Sequence, residues 1–166
     1  AGEAMNVSAN GRYVCGGLKD SKNSAFIYDI ENEELTMIEN TLTDVLGGMT
    51  AMCVTNNGDA FGYISAHGAD YNSRRGFAYV DGELMLFEDY LITNGVQDAV
   101  NWKVYSVNSV TSDGKTFIGA AEMKDELLKK LNEFSSSTDN LEEQFENHEQ
   151  IEISRYYERL PKPTLI

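Results

Sequence analysis

The pattern that predicts the architecture begins in Val7-Ser8-Ala9-Asn10-Gly11-Arg12-Tyr13-Val14-Cys15-Gly16. A β-forming residue is followed by Ser or Thr, two turn residues, a glycine, a variable residue and a second apolar run. The same order of residue types returns in Val54–Tyr63 and in Val110–Gly119. Glycine adopts the positive φ that tight hairpin loops require, and Asn-Gly or Asp-Gly between apolar runs is a strong hairpin signal. The sequence therefore predicts three β-hairpins.

A second pair of strand-like runs follows each of the first two hairpins. Ser24–Asp29 leads to Glu34–Ile38, and Arg75–Val80 leads through an Asp-Gly turn to Glu83–Phe87. Each complete unit then has four short strands in about 40 residues, the length of a propeller blade. Runs such as Leu84–Phe87 are apolar at consecutive positions, which suits a sheet covered on both faces.

These patterns predict a mainly β protein, a partial β-propeller-like array of about three antiparallel blades. The predicted blades are residues 1–48, 49–100 and 101–122.

The end of the chain departs from the strand pattern. Apolar residues at helical spacing predict an amphipathic helix: Met123, Leu127, Leu131 and Phe134. Asn140 and Glu143 are spaced as a capping box for a second helix. We therefore expect a helical hairpin inserted at 123–150, followed by the closing strand and tail of the last blade at 151–166. A separate helical tail packed beneath the propeller is the alternative.

Charge and apolar runs limit the partners. The 166 residues include 27 acids and 13 bases, which gives a formal net charge of −14. Such a field repels phosphate backbones and anionic lipid headgroups, so neither nucleic acid nor a membrane surface is expected as a partner. No apolar run approaches the ~20 residues of a membrane helix. Cys15 and Cys53 fit either a disulfide between units or two buried apolar side chains, and their apolar neighbours favour the second interpretation.

The units resemble the HAF-type repeats of extracellular bacterial proteins, in which a Ser-x-Asp-Gly hairpin precedes an Ala-Phe strand. Ala25-Phe26 and Gly76-Phe77 stand at the Ala-Phe positions, although Ser24 and Arg75 replace the histidine before them. Asp89–Val96, Trp102 and Val110–Gly119 are similar to the entry into a last repeat, and 157–161 is similar to its closing strand. The resemblance implies a propeller-like fold and an extracellular or periplasmic location. It implies no particular activity.

Three units are fewer than the ~4–8 blades of closed propellers. The chain could be a piece of a larger protein, two copies could pair as a homodimer through open blade edges, or the predicted helices could cover the open edge.

Four residues are candidates for ligand binding: His67, Asp70, Tyr71 and Trp102. His67 and Asp70 are three apart in a predicted loop, where they could act as base and orienter or share a cation, but a polar loop hairpin is the favoured interpretation. Tyr71 and Trp102 could anchor a protein or glycan, although packing between blades is the favoured interpretation. No catalytic residue, metal site or cofactor is predicted.

Two functions are expected from these observations. The first is a secreted or envelope-associated, non-catalytic recognition or scaffold module. The second is a carboxylate-dependent glycan hydrolase with a cleft between blades, for which the pair of carboxylates is not identifiable from sequence.

Overall fold

A computed structural model describes residues 1–19, 23–66 and 70–124. The described part is mainly β, as predicted, and its sheets are antiparallel. The strands are β1 Gly2–Val7, β2 Tyr13–Leu18, β3 Ala25–Asp29, β4 Glu34–Ile38, β5 Gly48–Val54, β6 Ala60–Ser65, β7 Arg75–Val80, β8 Glu83–Leu86, β9 Trp102–Val110 and β10 Phe117–Met123. One α-helix, α1, spans Phe87–Thr93, and 3₁₀ turns span Tyr71–Ser73 and Gln97–Asn101.

The strands pair with their neighbours along the chain. The first sheet has the order β1-β2-β3-β4, the second has the order β5-β6-β7-β8, and β9 pairs with β10 in a two-stranded sheet. Each pairing is antiparallel. The three predicted hairpins are present as β1–β2, β5–β6 and β9–β10.

The three hairpin turns have the same local structure. The central glycine has a φ of 77° at Gly11, 89° at Gly58 and 68° at Gly114. In each turn the glycine N–H donates to the carbonyl of the Ser or Thr three residues earlier, and that residue's hydroxyl accepts a backbone N–H from the far side of the turn. These Ser and Thr residues are Ser8, Thr55 and Thr111. The Ser/Thr-x-x-Gly spacing therefore encodes the turn through its hydroxyl as well as its glycine.

A second glycine lets the two strands of each hairpin approach closely. A Cβ at Gly16, Gly62 or Gly119 would collide with a backbone carbonyl oxygen of the preceding strand. Beside each glycine the strand register shifts by one residue, which marks a β-bulge. Any side chain at these positions would push the strands apart.

The second sheet is covered on both faces. One face packs with the first sheet around a core that includes Ile27, Ile38, Met49, Ile64 and Phe77. The other face packs with α1 and the β9–β10 hairpin. That second core consists of Cys53, Phe61, Ala78, Phe87, Val104 and Val107. Side chains alternate between the two cores along β6 and β7, as the alternation of a β-strand requires.

The three turns lie side by side. The backbone N–H of Asn10, in the first turn, donates to Oδ1 of Asn56 in the second at 2.9 Å. Gly114, in the third turn, faces the methyl group of Thr55. The turns therefore lie together at one end of the first two sheets. The ends of β2, β5 and β6 that are farthest from the turns lie together at the other end.

At two positions the type of element differs from the sequence prediction. Phe87 begins α1 instead of ending a strand, and Glu88 and Asp89 in the first turn of the helix complement its dipole. Met123, predicted as the start of the helical segment, is the last residue of β10. The rest of the predicted helical hairpin, 123–150, and the predicted closing strand and tail, 151–166, lie outside the described residues.

The close approach at Gly62 makes a stability prediction. We expect Gly62→Ala to lower the free energy of unfolding by about 3 kcal/mol or more, because the added methyl group collides with the Thr50 carbonyl. The matched control is Gly82→Ala, which has a φ of 82° but open space around its Cβ, and should cost about 1–2 kcal/mol. Urea unfolding followed by far-UV circular dichroism measures both. Equal losses would contradict the prediction that the close approach at Gly62 excludes a methyl group.

Candidate functional site

A polar cavity of about 380 Å³ lies where the ends of β2, β5 and β6 gather. Its volume is within the range of small-molecule sites, about 300–1,000 Å³. Side chains and backbone from both four-stranded sheets line it: Glu3, Gly17, Leu18, Lys19, Asn23, Gly48, Met49, Thr50, Tyr63, Ser65, Ala66 and Arg74. Hydroxyl, amide and charged groups predominate, so the cavity is suited to a polar ligand.

Backbone contacts hold the two sheets together beside this cavity. The N–H of Met49 donates to the carbonyl of Asn23 at 2.7 Å, which ties β5 to the segment that precedes β3. Gly17 faces the Thr50 side chain, and Gly48 faces Asn23 so closely that a Cβ there would clash. The walls of the cavity are therefore fixed by main-chain packing.

Arg74 enters the cavity wall from the 3₁₀ turn before β7. Asp70 caps that turn by accepting the N–H of Ser73 at 3.1 Å, and the N–H of Arg74 donates to the carbonyl of Tyr71 at 3.1 Å. The Arg74 guanidinium carbon lies 4.4 Å from the centre of the Tyr63 ring and 4.9 Å from that of Tyr71. Two cation–π contacts therefore orient this cation.

The structure places the three described candidate residues in two locations, with Asp70 and Tyr71 at one turn and Trp102 at another cavity. His67 lies outside the described residues. Asp70 caps the turn that carries Arg74, and Tyr71 contacts the Arg74 guanidinium, but neither residue lines the polar cavity. Tyr71 also shares a hydrogen bond with Ser106 at 3.4 Å. Trp102 lies at the start of β9 and lines a different cavity.

That second cavity is apolar and has a volume of about 300 Å³ between α1 and the β9–β10 hairpin. Trp102 borders it, and its indole N–H donates to Asp98 at 3.1 Å. Hydrogen bonds from Asn101 and then Trp102 lower the pKa of Asp98. Asp98 is therefore held as an acceptor and is poorly suited to donate a proton.

Among the described residues, neither cavity lining contains two carboxylates. Glu3 lines the polar cavity and is paired with Lys19, whereas Asp98 lines the apolar one. Burial raises the pKa of Asp59, with a smaller contribution from Asp81, but Asp59 lines neither cavity. Within residues 1–19, 23–66 and 70–124, no group of three or more His, Cys, Asp or Glu residues could hold a metal ion.

Arg74 and Glu88 were not singled out from the sequence. Glu88 is buried on α1, where it accepts the N–H of Val104 at 2.9 Å and pairs with Arg75 at 3.2 Å. Its contacts join α1 to β7 and β9, so its role is to anchor the helix. The sequence signal that could have pointed to Arg74 is the presence of aromatic residues near it within 63–75.

Both cysteines are free and buried, which agrees with the favoured interpretation and not with the disulfide. Cys15 belongs to the first core and Cys53 to the second. Burial raises the pKa of each thiol to about 12. Because the thiolate is the reactive form, neither residue is suited to nucleophilic chemistry.

No helix in the described part of the chain is long and apolar enough to cross a membrane. Comparisons of the chain with protein-family models, with the curated proteins and with solved structures found no match.

The burial of the thiols predicts slow labelling. We expect native protein at pH 8 to react with Ellman's reagent only as fast as it unfolds, because the thiolate is scarce and covered. In denaturant, without reductant, both thiols of the same protein should react with the reagent at once. Fast labelling of the native state, or no labelling after denaturation, would contradict this prediction.

Proposed function

We propose that this chain is a secreted or envelope-associated, non-catalytic recognition module whose blades form a partial β-propeller-like array. Its ligand is a glycan held at the end of the sheets opposite the glycine turns. The location rests on the HAF-type resemblance, and the recognition role rests on the cavity described above. A protein surface is the other partner expected from the sequence.

Three features support the propeller-like part of the proposal. Two sheets have four strands in the same chain order, and the third hairpin has the turn and bulge of the first two. The second sheet packs face to face with the first sheet on one side and with the third hairpin on the other. Stacking of this kind is how neighbouring propeller blades bury their faces.

The observation that carries the recognition role is the polar cavity between the first two sheets. It combines fixed walls, hydroxyl and amide groups, and an oriented cation. A glycan presents many hydroxyl groups, which such a lining can hydrogen-bond. The hydrolase alternative requires two carboxylates at one cleft, whereas Glu3 is the one acid that the described residues place in this lining.

Binding without turnover tests the proposal. We expect the chain to bind members of a panel of neutral and uronate-containing oligosaccharides and to release no reducing ends from them. Thr50→Val, which removes a cavity hydroxyl at nearly constant shape, should weaken binding about fivefold.

Thr43→Val makes the same change on an exposed loop and is the matched control. Release of reducing ends would favour the hydrolase, and an absence of binding across the panel would contradict glycan recognition.

Pairing of two copies through open blade edges is also part of the proposal. The β4 edge of the first sheet exposes Leu35 and Met37 by 52% and 42%. Unpaired sheet edges with apolar residues associate readily. We expect light scattering to give masses that rise with concentration, and Leu35→Lys to reduce the rise.

Leu46→Lys is the control, because Leu46 is more exposed than Leu35 but lies in the loop between β4 and β5. A clean monomer at high concentration would exclude the homodimer.

A further inference from the structure

Arg74 is half-buried and yet has no acidic partner among the described residues, whereas Lys115, which also makes no ion pair, is exposed. Arg12 pairs with Asp29, Lys19 with Glu3, Arg75 with Glu88 and Lys103 with Glu122. Arg74 makes no ion pair with a described residue, although the chain carries twice as many acids as bases. An acidic protein offers many partners to an arginine, so this isolation requires an explanation.

The geometry around Arg74 explains how the cation is held without an acid. The rings of Tyr63 and Tyr71 contact its guanidinium, and its backbone is fixed by the capped 3₁₀ turn. The Nε atom is buried without a hydrogen-bond partner, and the two terminal nitrogens donate to no described residue. A planar fork of donors is therefore oriented in advance at the cavity wall.

A guanidinium fork matches a carboxylate, because two parallel N–H groups can donate to its two oxygens. Lys19 adds a second cation to the same lining, 3.1 Å from Glu3. The remaining polar lining is neutral: Asn23, Thr50, Tyr63 and Ser65. Amide and hydroxyl groups of this kind suit the hydroxyl groups of a sugar ring.

We propose that the polar cavity binds an acidic saccharide, a sugar that bears a carboxylate, with Arg74 receiving the carboxylate. This inference rests on the recognition function proposed above and names its ligand class. Arg74 is a binding and specificity-determining residue: it selects uronate-type sugars over their neutral counterparts. No bond is formed or broken.

The net negative charge of the chain does not exclude such a ligand. Charges farther than a Debye length, about 8 Å at physiological ionic strength, are largely screened. Among the described residues of the lining, which lie within that distance of a bound carboxylate, the cations Arg74 and Lys19 outnumber the one acid, Glu3.

Titration of the full chain with galacturonate and with galactose, followed by NMR chemical shifts, tests the inference. The two sugars differ at one carbon, which is a carboxylate in the first and a hydroxymethyl group in the second. We expect galacturonate to bind about tenfold more tightly or better, and Arg74→Gln to remove that difference. Arg74→Lys keeps the charge but loses the fork, so it should retain only part of the preference.

Lys115→Gln is the control, because it makes the same change of charge in the turn of the third hairpin and should leave both affinities unchanged. Thermal unfolding checks that the variants are folded. If Arg74→Gln is not folded, the partial loss of preference in Arg74→Lys is the test.

The outcomes separate this inference from the proposed function. Equal binding of both sugars, or a preference that survives Arg74→Gln, would overturn the inference and leave glycan recognition intact. Acetate that binds as tightly as galacturonate would overturn the assignment of a saccharide. An absence of binding by either sugar, with binding by other oligosaccharides of the panel, would overturn the inference alone, whereas no binding by any saccharide would remove both.

Discussion

The architecture depends on how closely the two strands of each hairpin approach one another. At Gly62 the second strand lies against the carbonyl of Thr50, and the neighbouring bulge changes the direction of the side chains along β5. Ala51 and Cys53 are two residues apart and would share one face of a regular strand. The bulge between them sends Ala51 into the first core and Cys53 into the second. The close approach at Gly62 and the bulge beside it thus set which residues of β5 enter each of the two cores.

The parts of the fold that were predictable are those whose determinants are adjacent in the sequence. Turn chemistry is local, so Asn10-Gly11, Asn57-Gly58 and Asp113-Gly114 identified the hairpins from adjacent residues alone. Strands β3, β4 and β7 were visible as short apolar runs. The bulges were not visible, because they depend on a carbonyl that lies across the hairpin. Helix α1 was missed because Phe87 continues the apolar run of β8, and the buried partner contacts of Glu88 come from distant β7 and β9.

The candidate site was only partly predictable for the same reason. Asp70 and Tyr71 were identified as loop residues that could bind a ligand, and they adjoin Arg74, which lines the polar cavity. Arg74 and Arg75 look alike in sequence, yet Arg75 pairs with Glu88 whereas Arg74 stacks on Tyr63. Those partners come from strands and a helix elsewhere in the chain. Trp102 was singled out as an aromatic residue, but nothing in the sequence indicates which cavity an aromatic ring will border.

Trp102 is the one tryptophan of the chain, and it stands at the first residue of β9 with its indole bonded to Asp98. Neither of the four-stranded sheets contains this chromophore. Intrinsic fluorescence excited at the indole therefore reports on the third hairpin, while the amide signal averages over all three sheets. Stepwise or concerted loss of the two cores becomes distinguishable in a single sample, with no label attached.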